Sequence, residues 1–280
     1  MEILKVTISH PEKMMFPEIM ATKETIANYY AFIAPFMLPH IKDRPLSLQQ
    51  FPEGVAHHGF FHKHSANFYP DYLPDYVVAT HKNGGTMHMV GAKTARDLVY
   101  LANQNAIEFH IPTATMKHIT KPDQIILDFD PSDDDFSKVR TLALSARNAL
   151  KEKGFESFVK TTGNRGLHVH IPCKAKLTFE DVKPISKEIA EYLCQQNPEI
   201  ATTQLRKNKR ENKVFIDYLR NDAAMTAIAP YSLRPNSVAG IATPIHWEEL
   251  DNKSLHAQSF TIKNIYKRMQ DLNDPWADFK

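Results

Sequence analysis

Apolar positions recur along this chain at two spacings, and each switch between them marks a new element. Ile26, Tyr29, Tyr30 and Ile33 fall on one helical face behind Thr22, a residue suited to cap it, and Pro35 is expected to disturb that helix. Thr94 opens a second, short helix through Leu98 and Leu101. Between them, residues 44–51 and 59–64 read as extended segments, with Pro45, Pro52 and Gly54 as turns. Ile107, Phe109 and Ile111 then alternate with Glu108 and His110, which makes a strand with one apolar and one polar face.

The stretch 125–130 is apolar until its end, where Asp128 and Asp130 share one face. From Phe136 a helical stripe runs through Val139, Leu142, Ala146 and Leu150 to Gly154. Strands at 157–161 and 167–171 flank the turn 162–166, a helix carries Val182, Ile185, Ile189 and Leu193, and 214–219 reads as another strand. The order strand, helix, hairpin, helix, strand predicts an α/β (α+β mixed) fold with mixed and antiparallel sheets and helices packed on one side.

Two carboxylates two positions apart on a strand project the same way and repel unless a cation intervenes. Oxygen ligands of this kind suit Mg²⁺ or Mn²⁺. Asp128 and Asp130 equally suit a strand end and a helix N-cap beside Pro131. Asp217 shifts that balance, because a third carboxylate in an apolar strand needs a partner. The turn Thr162-Gly163-Asn164-Arg165-Gly166 can cradle a triphosphate through its amides and guanidinium, or simply close a hairpin. His110, His168 and His170 lie on polar strand faces, without zinc-type spacing. Asp133, Asp134 and Asp135 read as a solvated loop that brings negative charge to a helix start.

Composition narrows the setting. With 42% hydrophobic and 24% charged residues over 280 positions, the chain is expected to fold throughout. A net charge of +2 leaves any electropositive surface to local runs such as Arg206, Lys207, Lys209, Arg210 and Lys213, which also suit a solvated helix face or loop. Cys173 and Cys194 have no metal-type spacing and are expected as free thiols in a reducing cytoplasm. There is no secretory leader pattern, and no apolar run long enough for a membrane span.

Several ordered motifs then accumulate: HPEKMMFP at 10–17, RPLSL at 44–48, GFFHK at 59–63, LANQNAIEFH at 101–110, LDFDP at 127–131, TGNRGLH at 162–168 and YSLR at 231–234. Together they resemble the polymerase domain of bacterial ligase D, a primase-polymerase of the archaeo-eukaryotic primase superfamily used in non-homologous end joining. The resemblance covers nearly the whole chain. It implies one primase-polymerase domain over about 1–270, with an N-terminal lobe to about 105, a catalytic core from about 106, and a tail or linker start over 271–280.

The resemblance makes Asp128, Asp130 and Asp217 the catalytic metal ligands of a two-metal site using Mn²⁺ or Mg²⁺. It assigns His110, Thr162, Arg165, His168, Arg220 and Arg234 to the incoming nucleotide. Phe60 and Phe61 correspond to an aromatic pair on the template, a role that rings fill generally. Lys13 and Lys23 resemble a pocket for a 5′-phosphate, with Lys63 adding charge nearby. Thr162 stands where relatives often carry Ser, and Gln49 and Gln50 where some relatives are more basic.

The implied activity is template-directed addition of nucleotides, ribonucleotides preferred, to DNA 3′ ends in gaps or overhangs bearing a 5′-phosphate. A Ku-like protein and an ATP-dependent DNA ligase are the implied partners, and the bacterial nucleoid the implied location. No adenylation-type lysine motif is identified, so ligation is not expected from this chain. Two other readings stay open: a metal-dependent phosphohydrolase, since an apolar strand ending in Asp-Phe-Asp suits an aspartyl nucleophile, and a non-catalytic DNA-end bridging module.

Overall fold

The computed structural model describes residues 1–80, 84–271 and 274–279. Its backbone divides into two compact units, Met1–Lys117 with Thr226–Gly240, and His118–Met225 with Ile241–Lys280. The division falls at 117 rather than near 105, and a later stretch returns to the first unit. Alternation along 106–111 could not reveal this, because the returning partner is more than a hundred residues away.

In the first unit, helix α1 (Lys23–Ile41) begins with a capping box between Thr22 and Thr25 and runs through both Pro35 and Pro39. Each proline removes an internal hydrogen bond and costs about 3 kcal/mol in a bare helix. Burial overrides that here: Ile33, Ala34, Met37 and Ile41 are all within 1% of full burial, and α1 packs on helix α2 (Ala95–Asn103). Thr94 caps α2 through a capping box with Asp97, as its position predicts.

Four antiparallel strands of this unit lie in the order Ala227–Ile228, Ala106–Ile111, Ser47–Gln50, Phe60–His62. Phe60 and Phe61 are therefore on an edge strand and stand 49% and 54% exposed, so neither fills the core. Glu108, on the face that alternation makes polar, is nonetheless 3% exposed.

The second unit is built on a six-stranded mixed sheet in the order Ala201–Thr202, Val214–Asp217, Gln124–Pro131, Leu167–Pro172, Phe158–Thr161, Pro244–Ile245. Only the first pair is parallel. One face carries Ile125, Leu127, Phe129, Val169, Val214 and Ile216, and it packs with helices α3 (Phe136–Glu152) and α4 (Phe179–Gln196) into one core. Asp135, not Asp130, caps α3, accepting from Ser137 N at 3.0 Å. That leaves both strand aspartates on the opposite, polar face.

Trp276 sits 2% exposed in this unit. Its indole nitrogen donates to the Val159 carbonyl at 3.0 Å, and its ring meets His170 edge-on at 4.7 Å. Residues 271–280, expected as a tail or linker start, thus include a buried anchor at Trp276, with 272, 273 and 280 outside the described residues. Pro-Trp-Ala-Asp reads as polar only when its one large ring is averaged with its neighbours.

Candidate active site

Register places four side chains in one transverse row on the polar face of the large sheet. Lys160 pairs with His168, His168 with Asp128, and Asp128 with Asp217. Directly opposed residues on neighbouring strands bring their Cβ atoms to about 4.5–5.5 Å. Asp130 follows two positions on, opposite Phe215. All three predicted aspartates therefore share one face of two adjacent strands, and Asp217 ends its strand rather than sitting within it.

The turn after Asp217 is set locally. Asp217 Oδ1 accepts from Leu219 N at 2.9 Å, and the chain enters a short 3-10 turn over Leu219–Asn221. This swings Arg220 back over the row, with Nε 3.2 Å from Asp217 Oδ2 and 3.6 Å from Asp128 Oδ2. Asn221, fully buried, then replaces the missing strand: its Oδ1 accepts from Ile126 N and its Nδ2 donates to Ile126 O, both at 2.7 Å. One side chain completes the ladder where the backbone has turned away.

Charge along the row is sharply uneven. Burial by itself would raise the Asp128 carboxyl, but His168, whose Nε2 lies 3.3 Å away, together with Arg220 and Lys160 holds it at about 2. Burial pushes His168 down to about 4, and Lys160 pushes the same way, so its ring is neutral at pH 7. Burial raises Asp217, and the facing Asp128 adds to that while Arg220 opposes it.

Asp130 has its own two cations. Arg165 Nη2 lies 3.4 Å from Asp130 Oδ1 and also donates to the Pro131 carbonyl. Arg210 Nη1 lies 3.3 Å from Oδ2, its guanidinium stacks 3.9 Å over the Phe215 ring, and it donates to the Gln204 and Leu205 carbonyls. The basic run 206–213 thus contributes a 6% exposed arginine to the acidic site. No sequence pattern separated Arg210 from its solvated neighbours. Lys160, 0% exposed, was equally hidden inside a short apolar strand.

The phosphate-cradle candidate is a tight hairpin turn. Thr162 Oγ1 donates to Gly166 O at 3.0 Å and accepts from Gly166 N at 3.1 Å, so its hydroxyl is committed to holding the turn. Gly163 has φ +68, and a Cβ on Gly166 would lie 1.9 Å from the Phe129 carbonyl. Glycine is required at 166 by close approach of the neighbouring strand.

His110 and Arg234 belong to the first unit, where they meet through Glu108. Glu108 Oε2 is 2.9 Å from His110 Nε2, and Oε1 is 2.8 Å from Arg234 Nε. Phe61 packs edge-on against His110, with centroids 5.4 Å apart, so Phe61 rather than Phe60 shares that sheet face. Lys23 Nζ donates to the Asn103 carbonyl at 3.1 Å and lies 3.4 Å from Ser9 Oγ. Burial lowers its pKa, and the nearby Lys13 lowers it further. Lys13 itself pairs with Glu53 at 3.7 Å, and Lys63 is exposed.

Among the described residues, no group of three or more His, Cys, Asp or Glu side chains converges so as to hold a metal ion. Guanidinium groups stand against each aspartate instead. The donor chemistry still fits a hard divalent cation, being all carboxylate oxygen with two like charges on facing strands. No helix of the described residues is long and apolar enough to cross a membrane.

The chain has the fold of a primase-polymerase domain. More particularly, the chain belongs to the family described as "LigD, primase-polymerase domain", whose model matches residues 22–276. It is 32% identical over 277 residues to the bifunctional non-homologous end joining protein LigD of Bacillus subtilis, covering 98% of this chain and 44% of that protein. It is 30% identical over 278 residues to the multifunctional LigD of Pseudomonas aeruginosa, covering 98% of this chain and 33% of that one. The chain thus spans less than half the length of these curated relatives. Among solved structures, it is similar to the polymerase domain from Mycobacterium tuberculosis ligase D in complex with DNA, with TM-score 0.91, 29% identity, and 98% and 97% of the two chains covered.

Proposed function

We propose that this chain adds nucleotides, ribonucleotides by preference, to DNA 3′ ends in template-directed filling of gaps and overhangs during end joining. The observation that carries this reading is the cross-strand pairing of Asp128 with Asp217, with Asp130 on the same face. In it, a primer 3′-hydroxyl attacks the α-phosphorus of a nucleoside triphosphate, the α–β bridge breaks and pyrophosphate leaves. Mn²⁺ or Mg²⁺ bound by Asp128, Asp130 and Asp217 would lower the pKa of that hydroxyl and neutralise the leaving oxygens.

The chain's own residues then bind and orient. His168 buttresses Asp128 from the neighbouring strand. With the aspartates holding cations, Arg220 and Arg165 would be the donors left for the triphosphate. The Thr162 hydroxyl accepts from the Asn164 and Gly166 amides and so holds the turn 162–166 that presents Arg165 to the nucleotide. His110 and Arg234 are proposed as further nucleotide contacts, Phe60, Phe61 and Lys63 as DNA contacts, and Lys13 with Lys23 as the 5′-phosphate pocket. A Ku-like protein and an ATP-dependent ligase are the proposed partners, in the bacterial cytoplasm.

The test is extension of a gapped, 5′-phosphorylated duplex with Mn²⁺ and ribonucleotides, by the wild type and by Asp130→Ala. The wild type should extend and the variant should not. Equal extension by both sinks the aspartate assignment. Phosphate release without extension turns the reading to a phosphohydrolase, and DNA binding without either turns it to a bridging module.

A further inference from the structure

We infer that Glu108 is a positioning residue for the incoming nucleotide, holding His110 and Arg234 in one fixed arrangement. The inference rests on the reading above that those two side chains contact the nucleotide. Glu108 is a nearly fully buried carboxylate on the strand Ala106–Ile111, and its two oxygens are divided between two partners. Oε2 faces His110 Nε2 at 2.9 Å and Oε1 faces Arg234 Nε at 2.8 Å. A buried carboxylate is costly unless compensated, and these two partners compensate it.

The partners reach Glu108 by different routes. His110 lies two residues along the same strand, so it projects on the same face. Arg234 arrives on the returning segment, which is docked to that same strand. Ala227 and Ile228 pair with Ile111 and His110, Ala229 N donates to the Phe109 carbonyl at 2.8 Å, and Phe109 N donates to Ser232 Oγ at 2.9 Å. Tyr231 takes a left-handed backbone conformation, φ +64, and its carbonyl accepts from the Tyr29 hydroxyl at 2.6 Å. That conformation is unfavourable for a bulky side chain and is held here by the surrounding contacts. The whole connection thus serves to bring Arg234 back onto the carboxylate.

The chemistry of the contact sets the state of both partners. A carboxylate only accepts, so the contact favours the form of His110 that carries a proton on Nε2. Arg234 Nε meets Oε1 as a close ion pair, held by charge rather than by an aligned hydrogen bond. Without the carboxylate, two cationic or dipolar side chains would lie over a buried polar gap with several rotamers open to each. The expected signature is therefore weakened nucleotide binding with chemistry retained once the nucleotide is bound.

The test uses the full chain with ATP opposite a template thymine in a gapped duplex. Five variants are compared with the wild type: Glu108→Gln, Glu108→Asp, His110→Ala, Arg234→Ala and the double variant Glu108→Gln with Arg234→Ala. Glu108→Gln should raise the KM for ATP about tenfold or more, the scale of one charged hydrogen bond, with kcat within about threefold. Gapped-DNA affinity and thermal midpoint should stay near wild type, and Glu108→Asp should recover part of the loss. Glu108→Gln added to Arg234→Ala should cost less than the product of the two single losses, because what remains acts only through His110. If His110→Ala and Arg234→Ala raise KM while Glu108→Gln does not, or if the double variant shows the full product of both losses, the positioning role is wrong. If neither His110→Ala nor Arg234→Ala changes KM, the nucleotide reading of that pair falls, and this inference with it. Should Glu108→Gln lower the thermal midpoint strongly, with DNA affinity falling in parallel, the carboxylate is structural only and the inference is overturned.

Discussion

Asp128 and Asp217 close the ladder between their two strands as directly opposed residues, and one guanidinium, that of Arg220, lies within 3.6 Å of both. Two facing carboxylates at a strand end destabilise the apo fold unless a cation stands between them. Arg220→Gln is therefore expected to lower the metal-free thermal midpoint and to enlarge the gain on adding Mn²⁺. Calorimetry with and without Mn²⁺ measures both. Equal gains in wild type and variant would mean that the arginine does not stand in for the ion. Asp217→Asn should abolish primer extension and remove most of the Mn²⁺ gain.

Asn221, fully buried, should be a costly residue to lose. Its amide closes both backbone groups of Ile126. Asn221→Ala leaves a buried donor and acceptor unpaired, at about 1–3 kcal/mol each. Urea unfolding should show a loss of about 2–5 kcal/mol, and a loss under 1 kcal/mol would imply that water replaces the amide.

Alternation puts Phe60 and Phe61 on opposite faces of an edge strand, and only Phe61 lies against His110. Phe61→Ala is expected to weaken binding of gapped DNA by about tenfold or more, in line with about 1–3 kcal/mol for one stacked base. Phe60→Ala should do less. Fluorescence anisotropy decides the order, and a reversed order would move the template surface to the other face.

Gly166→Ala should disrupt the turn beside Asp130. The new methyl would meet a main-chain carbonyl, so the strand rather than a side chain has to move. About 3 kcal/mol of destabilisation is expected, at the upper end of overpacking, with extension lost even where the variant stays folded. Full activity with unchanged stability would show that the hairpin and the Phe129 strand separate easily.

Burial pushes both Cys173 and Cys194 thiols up to about 11, with Asp123 and Glu191 respectively adding to it. The thiolate is the reactive form. Labelling by a disulfide reagent at pH 8 should therefore be slow in the native protein, speed up toward pH 11, and become rapid in denaturant. Fast labelling at pH 8 would contradict this environment.

Much of the second unit was legible because its sequence is locally consistent. The strand 125–130, the stripe from Phe136 and the flanked turn 162–166 each follow one periodicity, and the observed order matches it. The aspartate cluster was legible for the same reason, since two residues share a strand face by parity alone. What stayed hidden depends on pairing between distant strands. Nothing local distinguishes Lys160 from an edge lysine, Arg210 from Lys209, or Glu108 from a solvated strand carboxylate. Local propensity predicts a disturbance of α1 at Pro35, and the packing that carries the helix through both prolines is not local. Asn221 left no local signal, because its role exists only once the Val214–Asp217 strand has ended.

The return of 226–240 to the first unit has a consequence for how the protein is made. Until that stretch leaves the ribosome, the strand Ala106–Ile111 has one unpaired edge and Glu108 has no Arg234. Roughly a hundred further residues must be synthesised first, a delay on the order of 10 s at about ten residues per second. Nascent chains are thus expected to expose a sticky sheet edge through that interval, and a gene cut after 117 would encode a piece that can never close it.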